Sequence, residues 1–228
     1  MRDLIFSLVL GGLATGALVQ DAYRAEVLKQ APPASVAAEI QSALAGQGYR
    51  IQDPQGRDFA EIWLRKTISA TERPGDPKGA VQFPFLADGE LLGVLRFATE
   101  GHDYRDQPIA KGVYTMRYGL QPVNGDHLGV SVYRDYALLL PVSKDKSLAV
   151  PPRKQLEERS AESAGTSHPA VFLMLAAPAD ASKSAPAMMH DTEKNTWSAV
   201  LPLTLQVKGQ SEPIVYPVRI VLVGMAEM

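Results

Sequence analysis

The C-terminal stretch alternates with period two over two successive runs. In "WSAVLPLTLQVKG", Trp197, Ala199, Leu201, Leu203, Leu205 and Val207 hold odd positions; in "PIVYPVRIVLVG", Ile214, Tyr216, Val218, Ile220 and Leu222 hold even ones. Side chains that recur every second residue line one face of an extended strand, and no helix satisfies that spacing. The short "KGQSEP" between the runs predicts an antiparallel pair. Pro202 and Pro217 each lack the N–H that a ladder needs, so edge positions or bulges are expected for them.

The same period recurs upstream. "YRIQD" and "DFAEIWLRK" flank the turn "PQG", with Phe59, Glu61, Trp63 and Arg65 on one face and Ala60, Ile62 and Leu64 on the other. "VQFPFLADGELLGVLRFA" reads as two strands about a turn at Asp88–Gly89. In "GVYTMRYGL", Val113, Thr115 and Arg117 oppose Tyr114, Met116 and Tyr118, and "YRDYALLLPV" and "HPAVFLMLAAP" add further strands. The chain carries 17 prolines and 18 glycines, in keeping with many turns.

One segment, "PPASVAAEIQSALAGQG", is helical instead. Ser35 is placed to cap it, Val36, Ile40 and Leu44 recur at helical spacing, and Gly46 and Gly48 end it. "RKQLEERSAES" reads as a short exposed helix. The fold class expected is mainly β: an antiparallel β-sandwich, jelly-roll or Ig-like, with one N-terminal helix after a signal-like leader. Residues 23–228 form its single domain, and Trp63, Phe97, Val113, Leu138, Leu140, Phe172, Leu203, Leu205 and Ile220 are expected between two sheets.

Residues 1–22 read as a signal peptide or membrane anchor. Behind Arg2 the chain is uncharged from Leu4 to Val19, sixteen residues, short of the roughly 20 a spanning helix needs. Ala14 and Gly16 permit cleavage after Gly16, without a clean A-x-A. A periplasmic, secreted or N-terminally anchored protein is therefore expected.

Composition removes several function classes. The net charge is -2 with no basic block, which argues against nucleic-acid binding. No cysteine is present, so disulfides, thiol catalysis and Cys-based metal sites are excluded. Four histidines, His102, His127, His168 and His190, all read as loop residues. Imidazole suits copper or zinc, and Met188 or Met189 would add a thioether, but no H-x-H or H-E-x-x-H spacing occurs. The strongest turn dipeptide, Asn124–Gly125, makes "QPVNGDHLG" a connector, and no metal site is expected at His127. No G-x-S-x-G is present, and Ser167 beside His168 points away from it if the pair is extended. A polymer or carbohydrate hydrolase would need paired carboxylates, such as Glu61 with Glu90 or Glu100, whose separation is a tertiary fact; these acids are read as lying on solvated strand faces. The tyrosines and arginines of "RYGLQP" and "YRDY" are read as core rather than as a stacking platform for a sugar. No catalytic residue is assigned, and no cofactor or metal ligand is expected.

"GELLGVLRF", the block "DYRDQPIAKGVYTMRYGLQPVNGDHLGVSVYRDYALLLPV" and "SHPAVFLM", within residues 47–175, resemble a family of uncharacterised exported bacterial proteins with this order of segments. The resemblance implies a β-sandwich-like domain and an exported location, and it transfers no catalytic residue. The expectation is a non-catalytic binding or interaction module that takes a protein or small-molecule ligand in the cell envelope. A copper- or zinc-binding envelope protein and an envelope-polymer or carbohydrate hydrolase are the alternatives. Contact with a membrane is expected only through an uncleaved N-terminal segment.

Overall fold

The computed structural model describes residues 22–123, 131–181 and 186–226. The leader and the Asn124–Gly125 turn with His127 lie outside the described residues.

Strand follows strand through most of the chain. β1 (Arg24–Leu28), β2 (Gly48–Gln52) and β3 (Asp58–Leu64) come first, with α1 (Ala38–Ala43) between β1 and β2. β4 (Ile68–Ala70), β5 (Leu91–Phe97), β6 (Gly101–His102), β7 (Pro108–Ile109), β8 (Gly112–Leu120) and β9 (Asp135–Pro141) lead to α2 (Arg153–Ala164). β10 (Val171–Ala176), β11 (Ala187–Asp191), β12 (Thr196–Val207) and β13 (Ile214–Val223) complete the order. The protein is mainly β.

Hydrogen bonding runs unbroken along the order β1-β2-β3-β5-β8-β9-β10-β13-β12-β11, with β4 added in parallel to β12 and β6–β7 a separate two-stranded ribbon. The expected pair of stacked sheets is thus replaced by one curled sheet. β10 makes the bend: Val171, Phe172 and Leu173 pair with β9, whereas Met174, Leu175 and Ala176 pair with β13. The curl brings the end strands β1 and β11 into contact, and the Tyr23 and Trp197 rings meet there at 5.6 Å.

The concave face encloses the main core, which includes Ile62, Phe97, Met116, Phe172, Leu203, Leu205 and Ile220. The convex face is also apolar over much of its area. Trp63 and Val94 pack there under Ile40 of α1 and the flanking Val36 and Leu44, and Leu138 and Leu140 pack under α2 through Leu156. Of the expected core, Trp63, Leu138 and Leu140 are therefore buried on the outside of the sheet, and Val113 is only half-buried beside them.

Three other expectations change. Among the described residues there are two helices rather than one, and α2 is not an exposed helix, since Leu156, Ser160, Ser163 and Ala164 are buried against the sheet. α1 is only six residues long and its N-cap, Ala37, has no capping side chain, so Ser35 does not cap it. Asp88–Gly89 does not join two strands: Phe83 and Phe85 sit in an irregular segment that Asp135 holds by accepting the Gln82 and Phe83 amides at 2.8 and 3.0 Å.

Pro202 faces Pro217 in the β12–β13 ladder. β11 leaves β12 at Val200 and β4 joins it only at Leu205, while β10 leaves β13 at Val218. Each missing donor thus points to a local edge, as the sequence requires.

Candidate functional site

On the convex face, where α2 rises from the ends of β8, β9 and β10, a cavity of about 540 Å³ opens. That size falls in the range of small-molecule pockets. Leu120, Tyr136, Leu138, Val171 and Ala161 give it an apolar lining, and Arg105 stands among the lining residues.

Each wall is held for a local reason. Gly165 ends α2 in the left-handed conformation, φ 63°, that glycine adopts without strain. Small residues let the helix sit close: the Ser163 hydroxyl donates to the Leu139 carbonyl at 2.9 Å and Ser160 donates to Ala170 at 3.2 Å. At the start of α2, Arg153 donates to Asp88 at 2.9 Å, Glu157 at 2.7 Å and the Leu120 carbonyl at 2.7 Å. Opposite the helix, the loop between β6 and β7 is organised by the fully buried Asp103. One carboxylate oxygen accepts the Arg105 and Gln107 amides, both at 2.9 Å. The other accepts the Gln107 side chain at 2.8 Å and the Val171 amide at 3.0 Å, which pins the loop to β10.

Tyr136 is 2% exposed, and among the described residues its hydroxyl makes no hydrogen bond. Burial raises its pKa well above the ordinary tyrosine value, and the Tyr104 hydroxyl and the Asp103 carboxylate add to this, while the Ser131 hydroxyl and the Arg105 guanidinium act in the other direction. A buried phenol without a partner carries an unrecovered desolvation cost.

The sequence-selected residues do not converge. His102 lies in β6, not in a loop, and its Nδ1 is 2.9 Å from Asp106. His190 lies in β11 and stacks on Trp197 with ring centroids 4.3 Å apart. His168 lines the cavity from an exposed loop. His127 lies outside the described residues. Among the described residues no three His, Asp or Glu side chains stand together as a metal site.

Ser167 and His168 both line the cavity rather than facing opposite ways, because the segment is a loop and not a strand. No hydrogen bond joins them among the described residues. Glu61 is buried against Arg96 at 2.5 Å and Glu90 pairs with Arg65, so each carboxylate already serves a guanidinium. Arg117 and Tyr118 are core, as read: Arg117 binds Asp145 and Tyr118 donates to Asp135 at 2.6 Å.

No protein-family model, curated protein or solved structure matches the chain.

The cavity itself was not legible in the sequence. Tyr136 and Leu138 share a face of "YRDYALLLPV", but alternation does not reveal what covers that face. The single available cue was the pairing of small residues, Ser160, Ala161, Ser163 and Ala164, within an otherwise charged helix.

Proposed function

We propose that the protein is an exported, non-catalytic binding module whose ligand is a small molecule of the cell envelope, held in the cavity between α2 and β8, β9 and β10. The observation that carries this reading is a lined space of about 540 Å³ beside a buried hydroxyl that makes no hydrogen bond of ordinary geometry among the described residues. A polar group left unsatisfied in an apolar site is the kind of group a ligand completes.

Export rests on the uncharged run from Leu4 to Val19 behind Arg2. The run acts as a signal peptide or as an anchor. No helix among the described residues is long and apolar enough to cross a membrane. The binding reading rests on the absence of a nucleophile–base pair among the described residues that line the cavity, where Ser167 and His168 are not joined.

Two measurements test the proposal. Native mass spectrometry of protein recovered from an envelope fraction should show a bound small molecule, which the cavity-filling variant Ala161→Phe should lose. Retention of that molecule by the variant would place the site elsewhere. Fractionation of cells that express the full chain should recover it from the envelope or medium; full-length soluble protein in the cytoplasm would overturn export.

A further inference from the structure

We infer that the cavity selects an apolar carboxylate, whose charged end is held by the Arg105 guanidinium and the Tyr136 hydroxyl. The inference rests on the cavity being the ligand site, and it adds the chemical class of the ligand.

Charge accounting around the rim leads to it. The lining contains the cations Arg105, Arg153 and Lys154 and the acids Glu157 and Glu158. Arg153 is committed to Glu157 and Asp88, and Lys154 lies 3.9 Å from Glu158. Arg105 has no ion pair and its side chain has no hydrogen bond among the described residues. Its one acidic neighbour in the loop wall, Asp103, is already saturated by four N–H donors. Asp106, next along the loop, faces His102 at 2.9 Å. Arg105 is therefore the lining cation without an ion pair among the described residues; it is half-buried over an apolar floor, beside the charged but fully hydrogen-bonded carboxylate of Asp103.

Tyr136 supplies the second group. Its hydroxyl is buried and makes no hydrogen bond of ordinary geometry among the described residues; Ser131 is a polar neighbour, and the charges of Arg105 and Asp103 act on it in opposite directions. A guanidinium and a phenol together offer N–H and O–H donors to one carboxylate, and hydrogen bonds to an ionised acceptor are the strong class. The apolar remainder of the ligand then covers Leu120, Leu138 and Val171. A neutral ligand of the same shape would leave the guanidinium desolvated and unpaired.

Calorimetric titration with octanoate and with octan-1-ol, matched in chain length, tests this directly. The expected result is that octanoate binds about tenfold or more tightly than the alcohol, the scale of one charge-assisted hydrogen bond. Arg105→Gln should remove that preference, and Tyr136→Phe should weaken octanoate alone, by about tenfold, without loss of thermal stability. Both ligands should be lost in Ala161→Phe. Equal binding of the two ligands, both lost in Ala161→Phe, would overturn the carboxylate preference and leave the cavity as the site. Failure of octanoate to bind at millimolar concentration would also overturn the preference. Octanoate binding that survives in Ala161→Phe would overturn the cavity as well.

Discussion

Arg117 and Asp145 form a two-point ion pair that solvent does not reach: the guanidinium donates to the two carboxylate oxygens at 2.7 and 2.9 Å, and the side chains are 0% and 2% exposed. Thr115 donates to the same carboxylate at 2.6 Å, and the remaining guanidinium donors reach the carbonyls of Gly89 and Ser147 at 2.8 and 2.6 Å. Every polar atom is matched, which is the condition for burying such a pair. The pair ties the segment after β9 to the convex face of β8. Asp145→Ala should cost about 3–5 kcal/mol in urea unfolding, because it strands a buried cation. The double replacement Arg117→Met with Asp145→Leu should cost clearly less than the sum of the single changes. Additive costs would show that the pair is not coupled.

Two buried tyrosines are expected to respond in opposite ways. Tyr118 donates to Asp135 at 2.6 Å, so Tyr118→Phe removes a charge-assisted bond and should cost about 1–3 kcal/mol at neutral pH. Tyr136 makes no hydrogen bond of ordinary geometry among the described residues, so Tyr136→Phe should leave the unfolding midpoint unchanged or raise it. A large loss in Tyr136→Phe would mean the hydroxyl has a structural partner.

Alkaline pH should weaken the fold through the same side chain. Burial first, then the hydrogen bond to Asp135, hold the Tyr118 pKa far above its ordinary value. A raised folded-state value favours folding fully below the unfolded value of about 10, and that stability is lost as pH rises beyond it. Unfolding free energy should therefore decline above about pH 10, with a shallower decline in Tyr118→Phe. An identical slope in the variant would assign the effect to other groups.

Leu203 is fully buried in the concave core and Leu156 is 1% exposed at the α2 contact. Each changed to Ala should lower stability by about 2–5 kcal/mol through lost transfer energy and the cavity left behind. If the cavity holds the proposed ligand, Leu156→Ala should in addition reduce its binding, since α2 forms one wall of the cavity. Chemical denaturation and titration of the two variants side by side check both statements.

Gly93 faces Leu64 in the antiparallel pairing of β3 and β5, and a Cβ there would clash with the Trp63 carbonyl oxygen. Gly93→Ala should cost about 1–3 kcal/mol or more as the strands are forced apart. Gly46→Ala, where no atom lies within 4 Å of the added carbon, is the control and should be near neutral.

The sequence by itself determined most of the longer strands and how the most regular of them pair. It did not mark β1 or β11, and it marked as a strand the segment 81–85 that the structure leaves irregular. Period-two alternation is a property of the chain, so the β12–β13 hairpin, the β2–β3 turn and the two faces of β3 could all be read from it. The apolar set Val36, Ile40 and Leu44, of which Ile40 lies in α1 and the other two flank it, was legible at helical spacing. Only the tertiary structure decided that the strands form one curled sheet and which apolar face lies inside it. Trp63, Leu138 and Leu140 are as apolar as Phe97 and Leu203, so hydropathy does not separate a convex face covered by helices from a concave one. Buried charge was equally hidden. Arg117 is satisfied by Asp145, 28 residues away, and Asp103 by Val171, 68 residues away. Until such a partner is in place, water is the better solvent for either group. The cavity belongs to the same class of fact. Arg105, Tyr136 and Ala161 come from a loop, a strand and a helix that are joined only by the curl of the sheet and the docking of α2.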